Sequence, residues 1–385
     1  MTQEKYNKRQ LQDAFKKALG ICSMMNEALK EICRVSERYR NKEPFMFANS
    51  SALSAIVDEI INKLNKRIGA EIEAGEREAW ALSASKNIFL VTTLMQKYNV
   101  PKSVIKDWDS EIRAYLKNFG LCKNCKNVSI SIFKQYGIPV SVLSQEGIAN
   151  AAGLSNQIAR TINGRNLSKR VWNITDQFRQ ELELALDIGL GEGKSAADLS
   201  RDVRRYLNEP ERLFRRVRDK HGVLRLSKAA KAYHPGQGVY RSSYKNALRL
   251  AATEINIAYR TADYERWQTL DYVIGTIVNV SPTNHIVPDI CDELTGEYPK
   301  QFKWVGWHPS CKCFAVPKLA DLAEFIKLED MKLEGKDVSA YKFSGEVTKL
   351  PGNFDKWYRK NEEKVKRAKS LPYFIEDNKK IIGGF

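Results

Sequence analysis

The sequence predicts a mainly α protein of the α+β class: helical N-terminal and middle regions and a small antiparallel β module. Three observations carry that reading. Apolar residues recur at three- and four-residue spacing through most of the first 270 positions, the period of a helix with one buried face. At YVIGTIVNV (272–280) the pattern changes to a short β-branched run, which reads as a strand. Just beyond it, CDELTGEYPKQFKWVGWHPSCKCFAVP gathers three of the seven cysteines and one of the four histidines.

The first helical stripe is Leu53, Ile56, Val57, Ile60, Ile61, Leu64 and Ile68. Residues 71–97 continue it, Pro101 breaks it, and a new helical pattern runs to Leu116. GLCKNCKNVS follows, where Cys122 and Cys125 form a C-x-x-C pair with no second pair near it. Two ordinary thiols explain that pair better than half of a metal site. From Asn166, the residues Ile174, Phe178, Leu182 and Leu186 form another stripe, ending at Gly189 or Gly191. Ser195 with Asp198 three positions on resembles a capping box and predicts a helix start there. GEGKS is not a phosphate loop: such a loop needs a glycine where Ile188 stands, and this segment follows a helix.

A long helix is expected over 239–268, with Tyr240, Tyr244, Ala247, Leu248, Ala251, Ile255, Ala258, Tyr259 and Ala262 on one face. After the 272–280 strand, FKWVGW and CFAVP are the expected partner strands, with Thr295-Gly296 as a turn. The ending beyond Pro317 has too few aliphatics for a core of its own, so its aromatics are expected either to fold back on the chain's own helical domains or to anchor it to a partner protein. The expected organisation is an N-terminal helical domain (1–165), a middle domain with the Cys/His motif (166–317) and a C-terminal extension (318–385).

Composition bounds the function. No apolar run approaches the ~20 residues of a membrane helix, so no membrane partner is expected. The charged and alternating N-terminus is not a signal peptide. An odd number of scattered cysteines argues against a secreted disulfide framework. The net charge of +17 points to a polyanionic partner, and it is concentrated: residues 201–250 hold 14 Lys+Arg against 4 Asp+Glu, a net of +10. Arg204, Arg205, Arg212, Arg215, Arg216, Arg218, Arg241 and Lys245 are the candidate nucleic-acid contacts.

Cys291, His308, Cys311 and Cys313 give the spacing C-x16-H-x2-C-x-C. Zinc takes four tetrahedral N/S donors in a closed structural site, and this segment supplies one such set. A small sheet buries too little to be stable alone, and a structural metal offsets that deficit. The alternatives are a disulfide from Cys291 to Cys311 or Cys313, or free thiols in a packed hairpin. For an enzyme, His285, Asp289, Asp292 and Glu293 are the residues from which a hydrolytic metal site, of nuclease or toxin type, would be assembled. The motifs of common hydrolases and phosphate binders are missing from the sequence.

The same segment resembles the signature of phage head morphogenesis proteins, the Mu F-like minor head proteins. Cys291-Asp-Glu-Leu294-Thr-Gly296 and His308-Pro309-Ser310-Cys311-Lys312-Cys313 match its C-x-x-L-x-G and H-P-x-C-x-C parts. LRLAATEINIAYRTA (248–262) and LDIGLGEGKSAADLSRDV (186–203) resemble the helices that precede it, so the likeness spans roughly 165–317. Ala252 stands where the family has an arginine, and Pro288 where many members have a further cysteine, with His285 as the nearby substitute ligand. The resemblance implies a non-enzymatic minor capsid component of the virion, assembled in the host bacterial cytoplasm. It would act at the portal vertex, with portal and other capsid proteins as partners and no small-molecule substrate; an anchoring aromatic ending would hold the portal or a capsid subunit. Packaged double-stranded DNA would be touched without sequence readout.

Overall fold

Helices dominate the computed structural model, which describes residues 2–39, 45–117, 125–136, 138, 143, 151–162, 164–191, 193–209, 216–218, 220–226, 242–281, 289–368 and 370–383. By contact, the chain divides into two units, each assembled from separated segments. One comprises Met1–Gln12, Glu76–Ile158 and Ile255–Phe385; the other Asp13–Gly75 and Ala159–Glu254. The partition cuts across the boundaries expected at 165 and 317. It falls inside α1 (Gln3–Ser36), α2 (Ser51–Lys97) and a third long helix, each of which contributes residues to both units. No described helix is long and apolar enough to cross a membrane.

Among its described residues, the second unit is mainly helical, with one pair of short strands. Its core takes Ile21, Met25, Leu29 and Ile32 from α1, and Leu53, Val57, Ile61, Leu64 and Ile68 from α2. Ile56, expected in the α2 stripe, faces outward at 38% exposure. Helices α3 (Lys102–Lys117), α4 (Cys125–Tyr136) and α5 (Ala151–Ile158) belong to the first unit, while α6 (Leu167–Gly191) returns to the second. Along α6 the expected stripe of Ile174, Phe178, Leu182 and Leu186 is buried. A tight turn links α6 to α7 (Ala196–Asn208): Gly193 takes a φ of +76°, and Ser195 caps α7 by accepting from the Asp198 amide at 3.2 Å. A Cβ at Gly189 would overlap a Leu199 methyl carbon at 1.9 Å, so α6 and α7 touch where only glycine fits. GEGKS is therefore a helix–turn–helix link.

Two short strands follow, β1 (Arg216–Arg218) and β2 (Leu224–Leu226), paired antiparallel with Val217 opposite Arg225. The next helix is α8 (Ser243–Gln268); the first three residues of the expected span, 239–241, lie outside the described residues. Its first turn is fixed from outside the helix, because the fully buried Glu181 carboxylate accepts from the Ser243 amide (3.2 Å) and hydroxyl (2.6 Å). From Ala251 to Ala262 every residue of α8 is buried, so this stretch is a core helix rather than one with a single apolar face.

In the first unit, β3 (Val273–Asn279) is the centre of a three-stranded antiparallel sheet between β4 (Gly296–Tyr298) and β5 (Phe314–Leu319). Thr276 faces Tyr298 on one side and Pro317 on the other. Proline is tolerated there because β5 is an edge strand. CFAVP thus forms the expected strand, whereas FKWVGW does not. Its backbone is held by side chains instead of a ladder: the Lys303 amide donates to Asn378 Oδ1 (2.7 Å), and Asn378 Nδ2 donates back to the Lys303 carbonyl (2.9 Å). Gly296 opens β4 rather than sitting in a turn.

The segment beyond 317 is built into this unit. Helices α9 (Ile290–Glu293), α10 (Leu322–Leu333), α11 (Gly352–Arg367), α12 (Tyr373–Glu376) and α13 (Lys379–Ile382) complete the chain. Phe354, Val365, Phe374 and Ile375 are buried in one cluster with Tyr298, Phe302 and Trp307. Ring centroids lie 5.7 Å apart for Phe302–Phe354 and 5.1 Å for Trp307–Phe374, the spacing of edge-to-face packing. The chain itself buries these four residues, but their aromatic partners Tyr298, Phe302 and Trp307 belong to the β module and not to a helical domain as expected.

A candidate metal centre in the Cys-His loop

The centre begins at α9, a single turn held by a reciprocal capping box. The Asp289 side chain accepts from the Cys291 amide at 2.7 Å, and the Asp292 side chain accepts from the Asp289 amide at 2.8 Å. This cap sets Cys291, which is fully buried, at a fixed angle. The opposite wall is a tight turn. The Cys311 amide donates to the His308 carbonyl at 3.1 Å, and Ser310 takes a left-handed φ of +61°. That conformation is costly for a residue with a side chain, and the surrounding turn holds it there.

Three donor atoms converge. Cys291 Sγ, His308 Nε2 and Cys311 Sγ all lie within 4.8 Å of one another. The two sulfurs are 3.7 Å apart, and the cysteines are free thiols. A disulfide would bring them to ~2.0 Å. Two sulfurs at ~2.3 Å from one tetrahedral metal stand ~3.8 Å apart. Cys291 Sγ to His308 Nε2 is 3.1 Å, a hydrogen-bonding distance that a metal would open by a few tenths of an ångström. His308 Nδ1 lies 2.8 Å from the Pro309 carbonyl. Since a carbonyl only accepts, Nδ1 carries the proton and Nε2 turns its lone pair toward the sulfurs. That is the tautomer a metal-binding histidine needs.

Cys313 is buried beside these donors, close enough for its thiol to influence the titration of Cys291 and Cys311. The three donors that converge within 4.8 Å are those of Cys291, His308 and Cys311, and Cys313 is the residue that would add a fourth. The three thiols do not titrate alike. Cys311 is held well below the ordinary thiol value, first by the hydrogen bond from Cys291, then by that from Cys313, with the Arg260 charge acting in the same sense. Cys291 is pushed up by its bonds to Cys311 and Cys313 and by burial. Cys313 is lowered by its bond with Cys291, but Cys311 and burial push it up to about 12. A divalent cation would bind such thiols as thiolates and displace their protons. The residues fit a metal, with His308 as the half-exposed ligand at the rim.

Other expected site residues are not drawn into this cluster. Asp289 and Asp292 serve the capping box, although Asp289 Oδ2 also comes within 3.5 Å of His308 Nε2. His285 lies outside the described residues, as does Cys122; Cys125 is the first residue of α4. Of the basic candidates, Arg204 and Arg205 are exposed on α7 and Lys245 on α8. Arg216 and Arg218 lie in β1, and Arg212, Arg215 and Arg241 fall outside the described residues. The residue that spacing alone did not single out is Arg260. It stood in the quoted helix, but a helical arginine gives no signal of distant carbonyl partners.

The chain matches no family model, no curated protein and no solved structure.

Proposed function

We propose that this protein is a structural, non-enzymatic assembly component whose β module is clipped by zinc. Its place would be that of a minor head protein of a tailed bacteriophage, at the portal vertex of the capsid. The observation that carries the first half is the convergence of Cys291, His308 and Cys311 within 4.8 Å, with Cys313 buried beside them. Three sulfurs and one imidazole fill a tetrahedral shell and leave no position for a substrate. Zinc is favoured over harder cations because thiolate and imidazole donors suit it, and over iron–sulfur clusters because one ligand is histidine.

The second half rests on the C-x-x-L-x-G and H-P-x-C-x-C residues, which are those that build the centre. Basic residues 201–250 support a non-specific contact with packaged double-stranded DNA, in which cations neutralise phosphates. Two measurements test this reading. Elemental analysis of protein purified without chelator should give about one zinc per chain; no metal would sink the zinc clip. Co-expression with portal protein should give a complex that enters heads; free protein absent from mature particles would sink the capsid assignment.

A further inference from the structure

We propose that Arg260 is the positioning residue of the metal centre. It would hold the Cys-His loop in its ligand-presenting shape before metal arrives and neutralise the loaded site afterwards. The inference rests on the reading of this loop as a metal centre, and it concerns a residue outside the ligand set.

Arg260 sits on the buried stretch of α8 and is 8% exposed. Its guanidinium reaches three backbone carbonyls, all in the loop. Nη1 donates to Val305 at 2.9 Å, and Nη2 donates to both Cys311 and Cys313 at 2.7 Å. One nitrogen thus holds the carbonyls of two ligand residues. Carbonyls at i and i+2 that converge on one point fix the rotation of the C-x-C segment about its own axis. That rotation decides where both Cα–Cβ bonds aim. The Trp304 ring covers one face of the guanidinium, with its centroid 4.7 Å from Cζ. The chain passes this close because residue 306 is glycine at φ +124°; a Cβ there would stand 2.6 Å from Nη1 and 3.3 Å from Cys311 Cβ.

Charge gives the second reason. Three thiolates, a neutral imidazole and a divalent cation sum to minus one, in a site whose three cysteines are buried. A buried charge needs a compensating partner. Arg260 supplies plus one at the backbone of the same residues, and its planar fork holds the three acceptors from two nitrogens in a fixed geometry, which the single nitrogen of an ammonium does not.

The test uses the full chain with cobalt(II) and zinc(II) as probes. Wild-type protein should show a thiolate-to-cobalt charge-transfer band. Its absence would overturn the metal reading, while loop protection in metal-free protein would still decide the role of Arg260. In Arg260→Met, zinc affinity from chelator competition should fall about 10–100-fold, the usual effect of losing an outer-shell partner. Amide exchange across 303–313 should accelerate in the metal-free variant, with the α8 amides unchanged. Arg260→Lys should recover part of the affinity, through charge, but not the amide protection. Gly306→Ala crowds the guanidinium without altering charge but also strains the backbone at φ +124°. Only retained protection in it therefore bears on Arg260, and that would count against the proposal. Arg260→Lys serves if Arg260→Met does not fold. Affinity within about 3-fold of wild type, with loop protection intact in both Arg260→Met and Gly306→Ala, would overturn the proposal.

Discussion

Lys86 and Asp263 form an ion pair inside the first unit, with side chains 3% and 5% exposed. Ser83 donates to the carboxylate at 2.7 Å, Asn7 accepts from Lys86 at 3.4 Å, and the ammonium stands 4.6 Å from the Tyr259 ring centroid. Burial pushes Lys86 down and Asp263 up, each toward its neutral form, while their mutual attraction opposes both shifts. The pair is therefore weak support for stability but costly to break. Lys86→Met should cost about 3–5 kcal/mol in denaturant unfolding, and Lys86→Met with Asp263→Leu should recover most of that loss. A pH dependence follows. Without Lys86 the Asp263 carboxyl rises further above its unfolded value, and a raised acid stabilises the fold only below the unfolded pKa. The deficit of Lys86→Met should therefore grow as pH rises from about 4 to 7. A deficit independent of pH would mean that the carboxylate finds another partner.

Among the elements, α11 and α12 carry the clearest expectation. Phe354, Phe374 and Ile375 are at most 1% exposed, and each such side chain is worth about 1.5–3 kcal/mol of burial. Deleting residues 345–385 removes all three and re-exposes Tyr298, Phe302 and Trp307. The loss, on the order of 5–9 kcal/mol, approaches the whole stability of a typical domain. The truncated chain should be insoluble or lack a cooperative transition for this unit. A soluble, equally heat-stable truncation would mean the segment is an anchor for a partner after all. The cap of α7 is a smaller matter: Ser195→Ala should cost about 1 kcal/mol in denaturant unfolding of the second unit and leave metal affinity unchanged.

For the whole molecule, the two units have separate cores, and the candidate metal centre belongs to one of them. Removing metal with a strong chelator, or replacing Cys311 by Ser, should speed amide exchange through β3, β4 and β5. Exchange around Ile174, Phe178 and Leu182 should hardly change. Equal loss in both units would show that they unfold as one. The basic region gives a second global expectation. Neutralising Arg212, Arg215, Arg216 and Arg218 together should flatten the dependence of log DNA affinity on log salt, by up to ~0.9 for each phosphate that is no longer neutralised. An unchanged slope would assign the cluster to an acidic protein surface instead.

The sequence by itself determined what depends on neighbouring residues: the helical stripes of α2 and α6, the Ser195 cap, strands β3 and β5, and the Cys/His spacing. Those features follow from backbone period, turn chemistry and the short reach of a metal's ligands, so a window of some 25 residues contains them. The tertiary structure decided the rest. It turned Ile56 outward, buried the 251–262 stretch of α8 on all sides, denied FKWVGW a strand and seated Phe354 and Phe374 on Tyr298, Phe302 and Trp307. It also aimed Arg260 at carbonyls 45 to 53 positions away. The reason is physical: a buried polar group must be satisfied by whatever the folded chain brings beside it. Which segments meet is settled by competition for a shared core, and no local pattern records that outcome.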